Sequence, residues 1–217
     1  MPILKNRRLA RFILKILLRL HNALYRYITI FAVVAEGRLH PKHRLMNYHA
    51  FFTDNIKEDE NVLDIGCGNG FLSYEIAAKA KGVTAIDLSR DSIESAGKTY
   101  SRDNINYICG DACQYAFTDT FDVIVLSNVL EHIERRVDFL LKIKELSPRL
   151  LIRVPMFNRD WITGCKAEMG IEYRLDPTHC IEYTLESLEQ ELAGAGLEIE
   201  KASVQFGEIW AVVRKKK

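Results

Sequence analysis

Apolar positions in the first part of the chain recur with a helical period. Leu9, Ile13, Ile16, Leu17, Leu20, Leu24, Tyr27, Ile28 and Phe31 follow one another largely at three- and four-residue steps, while Arg7, Arg11, Lys15 and Arg19 line another face at intervals of four. This spacing predicts one amphipathic helix over residues 3–35. Its longest uncharged stretch, Tyr27–Ala35, is nine residues, well short of the ~20 that a membrane span needs. Such a helix can lie on a membrane but not cross one. Gly37 and Pro41 then break the pattern, and a short helical stretch, "HRLMNYHAFF" (43–52), leads onward. The domain boundary is therefore placed near residue 40, with a helical extension over 1–40 and one domain over 41–217.

Beyond residue 60 the pattern alternates between short apolar runs and helical segments. The runs 61–66, 82–87, 105–110, 121–127 and 149–155 are nearly continuous in apolar residues, as strands are when helices cover both faces of a parallel sheet. Helices are expected at 71–80, at 90–99 with Ser89 as N-cap and Asp91 in the first turn, and at 134–146. Repeated strand–helix–strand units of this kind make a doubly wound α/β sheet. The end of the chain differs. A helix near 184–193, capped by Thr184 and stopped by Gly194 and Gly196, precedes two strands (197–204 and 208–214) joined by a short turn containing Gly207. That hairpin places an antiparallel strand in an otherwise parallel sheet.

Composition adds three constraints. With 217 residues, 48% of them hydrophobic, one substantial core is expected. Five cysteines without a CxxC pair, and no secretory signal, argue against a disulfide framework and point to the cytoplasm. The net charge of +1 hides an asymmetry: residues 1–44 hold ten Lys and Arg against the single acid Glu36, whereas the remainder holds twenty basic and twenty-eight acidic residues. The extension is thus suited to an anionic partner. A nucleic acid is disfavoured, because phosphates offer nothing to the apolar face. An anionic membrane surface contacting residues 3–35 suits both faces; the other reading is that the apolar stripe packs on the main domain or on a second subunit.

The chemistry centres on "LDIGCGNGF" (63–71), a glycine turn between an apolar strand and a helix. Glycine lets a ligand approach the backbone, and the helix start offers unpaired N–H groups, so a nucleotide-like ligand is expected. A dinucleotide fingerprint would need a third glycine where Phe71 stands. Asp64, ending the strand, would face a pyrophosphate poorly but can organise the cationic amino end of a methionine. Both features favour S-adenosylmethionine. Asp87 ends the next strand and can accept from two ribose hydroxyls. Asp111 and Ala112 follow the third strand, where a carboxylate can accept from an adenine amino group and a backbone N–H can donate to the ring. Three acids at successive strand ends lie on the edge where open α/β sheets bind ligands.

Taken together, "VLDIGCGNG", "AIDLS", "GDA", "FDVIVLSNVLEHI" and the terminal hairpin resemble class I S-adenosylmethionine-dependent methyltransferases over residues 43–214. The resemblance implies a seven-stranded sheet whose last strand is antiparallel and inserted between the fifth and sixth. It also implies S-adenosylmethionine held by Asp64, Gly66, Gly68, Asp87, Leu88, Asp111, Ala112 and Asn128, with Arg44 reaching the methionine carboxylate or covering the cofactor.

Methyl transfer needs alignment and, for a hydroxyl acceptor, a base. Glu131 and His132, after the fourth strand, are the expected catalytic pair, with His132 the base. The other reading of the pair is that it fixes the start of a helix. No metal is expected. The alternative is a divalent ion on Glu131, His132 and His179, the last lying with Asp176 in "DPTHCIEYT" (176–184). Ubiquinone-pathway and small-RNA O-methyltransferases, which the 128–132 stretch resembles, carry ExxEH there, and Asn128 replaces its first glutamate. Phe157, Trp161, Tyr173 and Arg174 fall where the family builds its substrate wall. The expected function is O-methylation of a small-molecule, glycan or lipid-linked acceptor, in the cytoplasm or peripherally on the inner membrane face. The alternatives are RNA modification and cofactor binding without catalysis.

Overall fold

The computed structural model describes residues 6–37 and 39–216. By their contacts these form two compact units, one made of the chain up to Asn47 together with Phe157–Pro177, the other of Tyr48–Met156 together with the chain from Thr178 onward.

In the first unit, helix α1 spans Arg7–Ala35 and starts at Asn6, whose side chain accepts from the N–H groups of Arg8 and Leu9. Positions 3–5 of the expected helix lie outside the described residues. One face of α1 packs: Leu18 is buried, and one turn on, Asn22 Nδ2 donates to the Glu172 carbonyl at 2.7 Å. Beside it Lys166 Nζ lies 3.2 Å from His21 Nδ1. Leu20, Leu24, Tyr27 and Phe31 lie on the opposite side of the helix from Leu18 and are exposed. A short helix α2, Lys42–Met46, ends at Asn47.

The second unit opens with α3, Tyr48–Asp54. The single helical stretch expected at 43–52 is in fact two, because Asn47 takes a left-handed conformation (φ 48°) between them. The strands follow as β1 (Asn61–Ile65), β2 (Gly82–Asp87), β3 (Ile105–Cys109), β4 (Val123–Ser127), β5 (Arg149–Pro155), β6 (Leu197–Gln205) and β7 (Glu208–Lys215). They make one sheet in the order β3-β2-β1-β4-β5-β7-β6. Only β7 runs antiparallel to its neighbours β5 and β6. The doubly wound sheet with a reversed last strand is therefore present as the sequence implied.

Helices α4 (Phe71–Ala77), α5 (Arg90–Thr99) and α6 (Arg136–Ile143) connect the parallel strands, α7 (Trp161–Glu168) lies in the first unit, and α8 (Leu185–Gly194) precedes β6. Ser89 and Thr184 cap α5 and α8. Two helices are shorter than the apolar pattern suggested. α4 gives way at Ala78 to a turn that hands the chain to β2, and α6 starts later than residue 134 because residues 130–132 form a separate 3₁₀ turn. The main core lies on one face of the sheet: Leu63, Ile65, Ile124, Leu126, Leu150 and Ile152, paired across the central strands, are buried with Leu140, Leu188 and Leu192 from the helices. Each such side chain contributes about 1.5–3 kcal/mol on leaving water. That rigid centre fixes the strand ends where the candidate site lies.

Candidate functional site

The glycine turn is held by its own geometry and by Asp87. Gly66, Gly68 and Gly70 all have positive φ, which side-chain-bearing residues adopt only at a cost. At Gly70 a Cβ would stand 2.5 Å from the Tyr107 hydroxyl and 2.8 Å from the Ala96 Cβ, so a larger residue is excluded twice over. Beneath the turn, Gly66 N–H donates to the Ile86 carbonyl at 2.8 Å, tying the turn to the end of β2. Asp87 secures the rest: one oxygen accepts from Gly68 N–H at 2.9 Å and the other from Ser89 N–H at 2.8 Å. This carboxylate therefore organises the turn and also faces the cavity beside it.

That cavity has a volume of about 720 Å³. Gly66, Asp87, Leu88, Asp111, Ala112, Asn128 and His132 line it, together with Lys142 from α6. Most of the residues expected to bind the cofactor are thus gathered around one space. Asp64 sits deeper, fully buried, and accepts a hydrogen bond from the Ser73 hydroxyl at 2.6 Å. Burial, with the nearby Asp87 charge adding, pushes its carboxyl up to about 7, against the Ser73 bond that lowers it. A cation beside Asp64 would reverse that shift by favouring the ionised form. Arg44 belongs to α2 in the first unit, where it pairs with Glu36 at 2.5 Å.

At the end of β4 the chain turns sharply. Asn128 has φ 58°, its N–H donates to the Arg153 carbonyl at 2.8 Å, and its side-chain amide donates to Glu131 Oε1 at 2.8 Å. Asn128 therefore orients the glutamate three positions on. Glu131 is buried, and its Oε2 has no hydrogen-bond partner among the described residues. Desolvation is the main cause that lifts its carboxyl to about 7. The next residue, His132, has Nδ1 3.0 Å from the Thr178 hydroxyl. His179 is buried, with Nδ1 3.4 Å from Glu182 Oε1. Candidate ligand atoms of Glu131, His132 and His179 all lie within 4.8 Å of one another. A carboxylate oxygen and two imidazoles form a donor set that takes a divalent transition metal.

Of the other sequence candidates, Asp176 is exposed in the first unit. Phe157 and Tyr173 stack edge to face there at 5.3 Å, and Arg174 pairs with Glu172. Sequence reasoning missed Ser73, Thr178 and Lys142. A hydroxyl under a strand-end acid was a readable signal for Ser73; the other two act across long sequence separations.

The chain is similar in part to known methyltransferases. Residues 63–147 match the methyltransferase domain family. A 96-residue stretch is 40% identical to the mitochondrial ubiquinone biosynthesis O-methyltransferase of Schizosaccharomyces pombe, covering 42% of this chain and 35% of that enzyme. A 102-residue stretch is 32% identical to the ubiquinone biosynthesis O-methyltransferase of Rickettsia akari, covering 45% of this chain and 40% of the relative. The chain thus spans less than half the length of either curated relative. Among solved structures, the DhpI–SAH complex superposes with a TM-score of 0.65 over 92% of this chain and 97% of its own, at 15% identity. An S-adenosylmethionine-dependent methyltransferase from Clostridium acetobutylicum gives 0.64 over 90% and 100%, at 13% identity. Identities this low speak for the fold alone, the one these methyltransferase structures share, and the match to the methyltransferase domain family is confined to residues 63–147.

Proposed function

We propose that this protein transfers a methyl group from S-adenosylmethionine to a hydroxyl of a small-molecule, glycan or lipid-linked acceptor. One observation carries the reading: a single cavity is lined both by the strand-end acids Asp87 and Asp111 and by His132. The cofactor, when bound, supplies a methyl group on a positively charged sulfur. The chain's own residues do the rest. Asp87 holds the ribose hydroxyls, Asp111 and the Ala112 N–H hold the adenine, and Asp64 stabilises the cationic amino end through the turn. His132 takes the acceptor's proton, with the Thr178 hydroxyl 3.0 Å from its Nδ1 helping to orient the ring. Positioning and a base together suit an in-line displacement.

A second reading of the catalytic end is favoured by the unpartnered Glu131 Oε2. Glu131, His132 and His179 fit a divalent cation, which when bound would lower the pKa of an acceptor hydroxyl. On this reading Asn128 orients Glu131 rather than serving as a ligand.

The first unit suits a membrane surface. α1 has no acidic residue, and Leu20, Leu24, Tyr27 and Phe31 along it are exposed, Phe31 by 68%. Among the described residues no helix is long and apolar enough to cross a bilayer. We infer that α1 lies in the interface of an anionic leaflet, keeping the enzyme near lipid-linked or lipophilic acceptors.

Incubating the full chain with methyl-labelled cofactor and extracts of metabolites and envelope lipids tests the whole reading. Label on a hydroxyl of an extractable small molecule, glycan or lipid supports it. Label confined to RNA, or no cofactor binding at all by calorimetry, overturns it.

A further inference from the structure

The loop after β3 is gripped by two charges of opposite sign. From within the loop, the Asp111 carboxylate accepts from Cys113 N–H at 2.9 Å and from the Gln114 side-chain amide at 2.8 Å. From α6, Lys142 Nζ donates to three backbone carbonyls, those of Ala112 at 3.1 Å, Cys113 at 2.9 Å and Tyr115 at 2.8 Å. An ammonium has three N–H groups, so this arrangement uses its whole donor capacity on one loop. None of these bonds uses the Ala112 N–H, the group assigned to the adenine ring.

The geometry has a physical consequence. Three carbonyl oxygens converging on one point repel one another unless a cation occupies that point. Residues 113–116 are exposed, so once the cation is removed the loop keeps only its own bonds to Asp111 and the Tyr115–Phe117 ring contact. The loop's conformation therefore depends on a side chain 27 to 30 residues away in sequence. Lys142 also lines the cavity itself.

We propose that Lys142 is a positioning residue for the cofactor: by gathering the carbonyls of Ala112, Cys113 and Tyr115 it holds the adenine-side loop in its binding conformation, and so sets affinity for the adenosine half of the ligand. This rests on the reading of the cavity as the S-adenosylmethionine site. The clamp acts on the loop, not on the reacting atoms, so it governs binding and leaves the chemistry at His132 untouched.

The test uses the full chain with two probes, S-adenosylhomocysteine and 5′-methylthioadenosine, which lacks the amino-acid half. Lys142→Met should raise Kd for both by the same factor, about ten- to a hundredfold, as losing a charge-assisted set of hydrogen bonds does. Lys142→Arg, which keeps the charge and can still fork to two carbonyls, should restore Kd to within a few-fold of wild type. Amide exchange should quicken at residues 111–116 in the methionine variant while β1 and β4 stay protected. If that variant does not fold, Lys142→Gln, with neutral donors only, is measured in its place and should also lose affinity. Wild-type protein that binds neither probe sinks the cofactor reading and the clamp with it. Wild-type protein that binds both, beside a folded variant within twofold of it, overturns the clamp alone. Weakening confined to S-adenosylhomocysteine also overturns it, because the defect would then lie on the amino-acid side.

Discussion

The imidazole of His132 stands edge-on to that of His179, with ring centroids 4.7 Å apart and planes at 82°. The two residues come from different segments, one from the turn after β4 and the other from the stretch leading to α8. Their neighbours fasten the segments on either side: the Thr178 hydroxyl meets His132 Nδ1, and Cys180 N–H donates to the Glu131 carbonyl at 2.6 Å. This cluster is thus a composite whose shape depends on contacts spanning 46 and 49 residues.

If His132 removes the acceptor's proton, His132→Ala should lower turnover by roughly 10²–10⁴-fold and leave cofactor affinity nearly intact. Steady-state kinetics paired with calorimetry measures both. Turnover within a few-fold of wild type would make the ring structural, a partner for His179 and Thr178. Titrating the metal-stripped enzyme with Mn²⁺ separates the second reading: stoichiometric binding that Glu131→Gln and His179→Ala each abolish assigns the cluster to a cation.

Glu131 should make stability depend on pH in a defined direction. Burial raises its carboxyl from the ordinary 4.5 to about 7, so the folded protein holds this proton more tightly than the unfolded chain. The stabilising contribution is fully present below about 4.5 and is lost as pH rises through about 7. Glu131→Gln removes the ionisation while keeping the bond to Asn128. The variant should match wild type near pH 4.5 and exceed it at pH 8 by up to roughly 3 kcal/mol in urea unfolding, while losing activity. Equal stability at pH 8 would show that the carboxylate is compensated, as by a bound cation.

Asp87 supports the turn and lines the cavity, and substitution separates the turn role from the proposed ligand role. Asp87→Ala should weaken S-adenosylmethionine binding by about 1.5–3 kcal/mol, the range for hydrogen bonds to a charged group, and should also loosen the turn, since Gly68 and Ser89 lose their acceptor. Calorimetry reads the first effect and amide exchange at Gly68 the second. Unchanged affinity would remove Asp87 from the ligand's contacts.

Much of this arrangement was legible because it rests on local patterns. Continuous apolar runs gave β1 to β5, the glycine turn announced a ligand edge, and the terminal hairpin announced the reversed strand. Helix α7 escaped notice although Asp160 caps it by accepting from Thr163 N–H at 2.6 Å, because its apolar residues show little periodicity to flag a helix. Lys142 was invisible for a different reason: its partners are backbone carbonyls, which no sequence position encodes. The elevated carboxyls of Asp64 and Glu131 follow from burial, which depends on the assembled sheet. The third glycine of the turn was read only as out of register with a dinucleotide motif. Its real constraint is Tyr107 and Ala96 pressing on the spot where a Cβ would be, so Gly70→Ala should cost about 2–4 kcal/mol in thermal unfolding, from strain and overpacking together.

The last prediction concerns α1. Its stripe of Leu20, Leu24, Tyr27 and Phe31 is exposed, while on the opposite side Leu18 is buried and Asn22 donates to the Glu172 carbonyl within the first unit. The helix therefore has its packing needs met on one side and a second apolar side left over. Arg7, Arg8, Arg11, Lys15, Arg19 and Arg26 add six positive charges with no acid among them, each worth about 1 kcal/mol near an anionic leaflet, and the leucines and aromatics add insertion at the headgroup boundary. A protein partner could bury the stripe but would draw no general benefit from six cations, which is why a bilayer fits better. The full chain should sediment with vesicles of 3:1 phosphatidylcholine and phosphatidylglycerol, stay in solution with phosphatidylcholine alone, and release as salt screens the charges. Replacing Leu20 and Leu24 by Asp should abolish sedimentation while leaving S-adenosylhomocysteine affinity unchanged, since neither side chain lines the cofactor cavity. Wild-type protein that remains in the supernatant at low salt with the anionic vesicles would assign the stripe to another protein surface.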